Sequence, residues 1–247
     1  MEEGWFEDQT FWQDFRSVLF HNYRMNSTSL QVEKMIELLE LSRDDKILDL
    51  CCGVGRHSLE FAKKGYEVTG VDLTQRYIEE AKSKAEEEDL DVEFVVADMK
   101  DFERKDTYDA AINFFSSFGY FKEEGDNLRV MERVHSSLKD GGRFLIDVMG
   151  RKVMAREYTE KREGRLDDGY FIEEREIKGD WELLENRWTL IKDDDVKNGT
   201  FYIKIYSAEE LREMLEKSGF ASIDLYGDLE KSEYEEDAER LVAVARK

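Results

Sequence analysis

Between Lys46 and Val148 the chain repeats one rhythm: a short apolar run, a polar or glycine-bearing break, then a stretch with helical spacing. Ile47–Leu50 reads as a strand, followed by a glycine turn and a helix carrying Leu59, Phe61 and Ala62. Glu67–Val71 is the next strand and Thr74–Glu88 the next helix, with Tyr77, Ile78, Ala81 and Ala85 on one face. Strands follow at Val92–Val96 and Tyr108–Asn113, then a helix over about 123–138 and a strand at Arg143–Val148. Such alternation requires right-handed crossovers, and so a mostly parallel, doubly wound α/β sheet with helices on both faces.

The flanks complete this layout. Residues 5–24 mix aromatics with polar residues and read as one or two helices. Residues 28–41 read as a longer helix, with Thr28 and Gln31 as a capping box and Val32, Met35, Ile36 and Leu39 at helical spacing. After Gly150 the rhythm breaks. Segments 169–178, 183–192 and 199–206 alternate and are separated by Gly179-Asp180 and Asn198-Gly199, an antiparallel meander. Ser207 and Glu210 form a second capping box before a helix with Leu211, Met214 and Leu215 that stops at Gly219. Strands near 220–226 and 239–245 bring the sheet to seven. The expected division is an N-terminal helical cap at 1–44, a core of 45–150 and 207–247, and an antiparallel β insertion at 151–206 acting as a lid.

Charge narrows the function. The formal net charge is −22, and no dense run of Lys and Arg offers a phosphate backbone a grip, so no nucleic-acid partner is expected. The acid excess reads as a device for solubility or for a salt-rich or hot habitat, or as a field that favours a cationic or amine substrate. The two cysteines, Cys51 and Cys52, are adjacent, which disfavours a disulfide; with no leader-like N-terminus and no apolar span, a cytoplasmic, membrane-free setting is expected. His57 alone lies near the cysteines, too few ligands for a metal. The chain has no proline, and turns such as 73–76 and 139–142 carry other residues.

Three acids close three successive strands. Asp49 precedes the turn Cys51-Cys52-Gly53-Val54-Gly55, Asp72 ends the second strand, and Asp98 with Met99 follows the third. Glycine lets backbone approach a ligand, and amides at the new helix N-terminus can face a negative group. An acid after the second strand suits the hydroxyls of a ribose. Asp98 could hydrogen-bond an adenine amino group while Met99 packs on its ring.

With these motifs the chain resembles the class I, Rossmann-like S-adenosylmethionine-dependent methyltransferases over about residues 46–149, and by layout over 207–246. Cys51 departs from the pattern, standing where the family's first glycine usually sits. The resemblance implies S-adenosyl-L-methionine as cofactor. Asp49 and the Gly53 and Gly55 turn would hold its methionine part, Asp72 the ribose, Leu73, Asp98 and Met99 the adenine. Asn113 would lie beside the reacting methyl, and Tyr23 with Arg24 on a helix closing over the cofactor. Asp49 also reads as an anchor of the glycine turn, and Tyr23 and Arg24 as ordinary helix surface.

Phe115, Tyr120 and Asp147 are substrate-side candidates, flanked by Phe114 and Phe118; aromatic faces there could hold a cation, or simply pack. Asp147 could equally be a cap, and Arg56 and His57 fit surface or supporting roles. The expected reaction is in-line transfer of a methyl group to a small-molecule N or O acceptor. Methylation of a protein side chain and a non-catalytic nucleotide-binding scaffold are the alternatives, and a nicotinamide dehydrogenase is a more distant one.

Overall fold

A computed structural model describes residues 4–167 and 169–247. A 3-10 turn at Trp5–Glu7 leads into α1 (Gln9–Asp14), α2 (Arg16–Leu19), α3 (Asn22–Asn26) and α4 (Thr28–Leu38). The alternating region supplies β1 (Lys46–Leu50), α5 (Arg56–Lys63), β2 (Glu67–Asp72), α6 (Gln75–Glu87), β3 (Val92–Val96), β4 (Tyr108–Asn113), α7 (Glu124–Ser137) and β5 (Leu138–Val148). Next come α8 (Arg151–Glu157), β6 (Lys161–Leu166), β7 (Gly169–Lys178), β8 (Leu183–Lys192) and β9 (Asp195–Lys204). The chain returns to the first sheet through α9 (Ala208–Lys217), β10 (Ser222–Tyr226) and β11 (Leu241–Arg246).

The main sheet runs β10-β11-β5-β4-β1-β2-β3, and only β11 is antiparallel to its neighbours. Both faces are buried, as a crossover sheet demands. Ile47, Ala110, Ile112, Val242 and Val244 meet α4 and α5 on one face. The alternate residues Leu48, Ala111, Phe144, Ala243 and Ala245 meet α7 and α9 on the other. The second sheet, β6-β7-β8-β9, is antiparallel throughout. Trp5, Phe11 and Phe15 join the sheets, their rings meeting Tyr120 on one side and Trp188 and Phe201 on the other.

Several expected details are corrected. Thr28 is inside α4, its hydroxyl bonded to the Arg24 carbonyl, and the Gln31 side chain accepts from Arg56, so no capping box forms there. The Ser207–Glu210 box is present. Asn198-Gly199 is not a turn: it lies within β9, opposite Thr189 and Trp188, and the chain reverses at Asp193-Asp194. Glycine is needed at 199 because a Cβ would come within 2.6 Å of Phe15 and 2.7 Å of Phe11. Residues 139–142 are absorbed into β5, whose register against β4 slips between Tyr108 and Ala110. The sequence reading also missed β6, whose Lys-Arg-Glu-Gly-Arg run has no apolar alternation.

Candidate functional site

The site lies over the C-terminal ends of β1, β2, β3 and β4, where the sheet order reverses between β1 and β4. A cleft of about 950 Å³, counting its open mouth, is lined by Gly53, Asp72, Leu73, Asp98 and Met99 from the strand ends. Phe6, Trp12, Phe20 and Arg24 cover it from the N-terminal helices.

The glycine turn makes the floor. Gly53 and Gly55 have φ of 57° and 75°, and Cys51 takes φ 65°. Cysteine therefore occupies the left-handed conformation that the family's glycine would occupy without strain. A Cβ on Gly55 would lie 2.8 Å from that of Ala81, so the turn and α6 pack at glycine distance.

The strand-end acids separate into different roles. Asp72 faces the cleft and is held by two backbone amides, accepting from Gly53 N–H at 2.9 Å and Thr74 N–H at 2.8 Å. Burial pushes its pKa up, and the amides oppose the rise. Asp98 accepts from Lys100 N–H at 3.0 Å and also lines the cleft, with burial again pushing its pKa up. Asp49 does not line it. Only 2% exposed, it accepts the Ser58 hydroxyl at 2.6 Å, and burial pushes its pKa up to about 6 against that bond and the charge of Arg56. That bond ties the end of β1 to α5 across the glycine turn.

Asn113 is also behind the wall, its amide donating to the carbonyls of Leu50 and Ser117. Tyr23 is 80% exposed and outside the cleft, because α3 turns its neighbour Arg24 inward instead.

Arg24 and Arg56 are what the sequence reading undervalued. Arg24 is largely buried, donates to the Leu19 carbonyl at 2.8 Å, and lies 4.1 Å over the Phe115 ring. Arg56 donates to Gln31 at 2.7 Å and Thr28 at 3.1 Å. Among the described residues neither has a carboxylate within salt-bridge distance. Burial pushes the pKa of each down to about 10, and for Arg24 the charges of Arg56 and Arg240 add to the effect. Their signal was faint: Arg24 sits in a polar stretch, and Arg56 opens a helix. His57 is buried beside Gln31, its Nε2 at 3.0 Å, and burial followed by Arg56 drives its pKa well down.

Beyond Phe115 lies a second chamber of about 1150 Å³, counting open space, between the two sheets. Trp12, Leu19, Arg24, Phe115 and Tyr120 line both spaces, so the two adjoin across these side chains. Phe115 and Ser116 have φ of 68° and 62°, two successive side-chain-bearing residues in left-handed conformation. Asp147, 1% exposed, holds this strained turn, accepting the Phe115 N–H at 2.9 Å and pairing both oxygens with Arg240. Arg240 also donates to the Ser116 hydroxyl at 2.7 Å. Asp147 thus braces the chamber wall and does not line the chamber. Phe115 and Tyr120 do face it.

Among the described residues no group of three or more His, Cys, Asp and Glu could hold a metal ion, and no helix is long and apolar enough to cross a membrane.

Comparisons agree with this geometry. A sequence profile of the methyltransferase domain matches residues 47–142. A provisionally assigned methyltransferase of Geobacillus sp. (strain WCH70) is 25% identical over 98% of this chain and 99% of its own length. The glycine/sarcosine N-methyltransferase of Aphanothece halophytica is 22% identical over 92% of this chain and 84% of its own. The crystal structure of an S-adenosylmethionine-dependent methyltransferase from Clostridium acetobutylicum superposes with a TM-score of 0.80 at 18% identity, covering 96% of this chain and 97% of that one. Relatives that act on ribosomal RNA also match, over about a third of the chain. With its strand-end acids, glycine turn and seven-stranded sheet, the chain belongs to the class I, Rossmann-like S-adenosylmethionine-dependent methyltransferases, and S-adenosylmethionine is its cofactor.

Proposed function

We propose that the enzyme transfers a methyl group to the nitrogen or oxygen of a small molecule held between its two sheets. One observation carries this reading: the cofactor cleft adjoins, across Phe115 and Tyr120, a concave chamber between the two sheets rather than a flat surface. The cleft residues fit the cofactor. Asp72 suits the ribose hydroxyls, Leu73 and Met99 the adenine faces, and Asp98 the adenine edge. The Gly53 turn lets backbone come close to the methionine part. Arg24 and Arg56, two cations with no carboxylate partner among the described residues, suit the methionine carboxylate.

The bound cofactor supplies a methyl group already activated on a sulfonium, so the protein mainly aligns donor and acceptor and excludes water. Phe115 and Tyr120 stand at the junction where that alignment is set, with Asp147 and Arg240 fixing the backbone of Phe115. We assign residues 151–206 the role of a lid over the acceptor, and 1–44 that of a cap over the cofactor. The free cysteines fit a reducing, cytoplasmic setting.

The test is calorimetric titration with S-adenosylmethionine, S-adenosylhomocysteine and NAD, repeated on Asp72→Ala. Micromolar binding of the first two, none of NAD, and at least a tenfold loss in the variant are expected. Binding that is indifferent to Asp72 would refute the ribose assignment. Methyl label incorporated into protein or RNA rather than small molecules would refute the acceptor class.

A further inference from the structure

The face that the second sheet turns toward the chamber is apolar except in one band. Side chains alternate along a strand, so Phe171, Glu173, Arg175 and Ile177 of β7 share a face with Leu184, Asn186, Trp188 and Leu190 of β8. The pairing register puts Arg175 directly opposite Asn186, and Glu173 opposite Trp188. Glu173, Arg175 and Asn186 all line the chamber. Burying polar groups in a sheet face is unfavourable unless something satisfies them.

The protein satisfies them only in part. Asn186 is 2% exposed, and what exposure it keeps is to the chamber that it lines. Arg175 is buried and donates through Nε and one terminal nitrogen to Thr159 and to the Glu157 carbonyl, all neutral oxygens. The nearest carboxylate to it, Glu173, is 3.9 Å away and accepts instead from the Trp188 indole at 3.0 Å. A buried amide beside a guanidinium whose hydrogen bonds all go to neutral oxygens, with its one carboxylate neighbour 3.9 Å away, forms a receptor for a carboxylate.

Glu173 lies on the cofactor side of that receptor. It is the carboxylate whose field acts on Arg24, which stands at the junction of cleft and chamber. Arg175 is two residues farther along the strand, roughly 7 Å away. We propose that the acceptor is a zwitterionic amine, an amino-acid-like molecule whose carboxylate binds Arg175 and Asn186 and whose nitrogen lies beside Glu173. Aromatic walls from Trp188, Phe201 and Tyr120 suit the cationic amine before it loses its proton. The nitrogen lone pair then forms the new C–N bond as the methyl–sulfur bond breaks, its pair of electrons staying on sulfur. The proton leaves before transfer, to Glu173 or to water.

This inference rests on the cofactor reading above, and separate titrations distinguish their failures. Chain loaded with S-adenosylhomocysteine is titrated with matched pairs, glycine and methylamine, β-alanine and ethylamine, phenylalanine and phenethylamine, and methyl-label transfer is measured for each. At least one acid should bind and be methylated with kcat/KM at least tenfold above its decarboxylated partner. Asn186→Leu, which preserves packing volume, and Asn186→Asp, which adds a repelling charge, should each remove that preference while leaving S-adenosylhomocysteine affinity unchanged. Equal use of the amines, no binding of any acid, or a preference that survives Asn186→Asp overturns the proposal. If S-adenosylhomocysteine itself does not bind the unaltered chain, the cofactor reading falls and takes this inference with it.

Discussion

Asp49 and Asp72 are the same residue type near the C-terminal ends of adjacent strands, offset by two positions in register, yet their surroundings give them opposite work. Asp72 has two backbone amides and a cleft in front of it, whereas Asp49 has Ser58 and protein on every side. The raised pKa of Asp49, about 6 against an ordinary 3.8, has a stability consequence. The folded chain holds this proton more tightly than the unfolded chain does, so the contribution of Asp49 to stability is greatest below about pH 4 and falls as pH rises to about 6. Above that the loss is complete, on the order of 3 kcal/mol. Asp49→Asn keeps an acceptor for Ser58 and removes the buried charge. Urea unfolding of the cofactor-free chain should show the variant more stable by roughly 1–3 kcal/mol at pH 8, the gap closing toward pH 4. A gap independent of pH would mean that Asp49 is not the group titrating. Position in the sequence could not separate the two acids, because what separates them is the burial that folding creates.

At the level of elements, what could be read ahead depended on who the neighbours are. Crossover strands buried on both faces announce themselves as apolar runs, and Ile47–Leu50 and Tyr108–Asn113 were legible for that reason. The Ser207–Glu210 box was legible because its two bonds are local. β6 escaped because it is an edge strand that pairs only with β7, and charged edges blunt unwanted pairing. Asn198-Gly199 misled because the glycine serves not the local turn but two rings nearly two hundred residues away. That reading predicts that Gly199→Ala is destabilising by about 1–3 kcal/mol, since Phe11 and Phe15 must move. A shifted urea midpoint checks it, and an unchanged midpoint would show that the rings yield freely. Asn186 was illegible for the same reason as Gly199: it acquires meaning from a surface brought in by tertiary packing.

For the whole molecule, the excess of acids is spread over the exterior while guanidinium groups gather at the chamber. Arg24, Arg56 and Arg240 all stand within 5.8 Å of one ring, that of Phe115, in a chain of net charge −22. Such a surface repels itself, and salt screens the repulsion over about 8–10 Å at moderate ionic strength. Raising NaCl from about 10 mM to about 500 mM should therefore raise Tm by several degrees. A fall would mean that the exterior ion pairs, such as Lys46–Glu67 and Arg129–Asp101, outweigh the general repulsion.

The aromatic seam between the sheets also sets a timetable. Trp5 leaves the ribosome early, but its partner ring Phe201, 5.1 Å away in the finished molecule, is made almost two hundred residues later. Until then the first helices can close only against the first sheet, through Tyr77, Tyr120 and Phe121, and the side of the seam that the second sheet covers stays open to water. At roughly 5–20 residues per second that interval lasts on the order of ten seconds or more, during which a nascent chain presents bare tryptophan and phenylalanine to whatever chaperone is near.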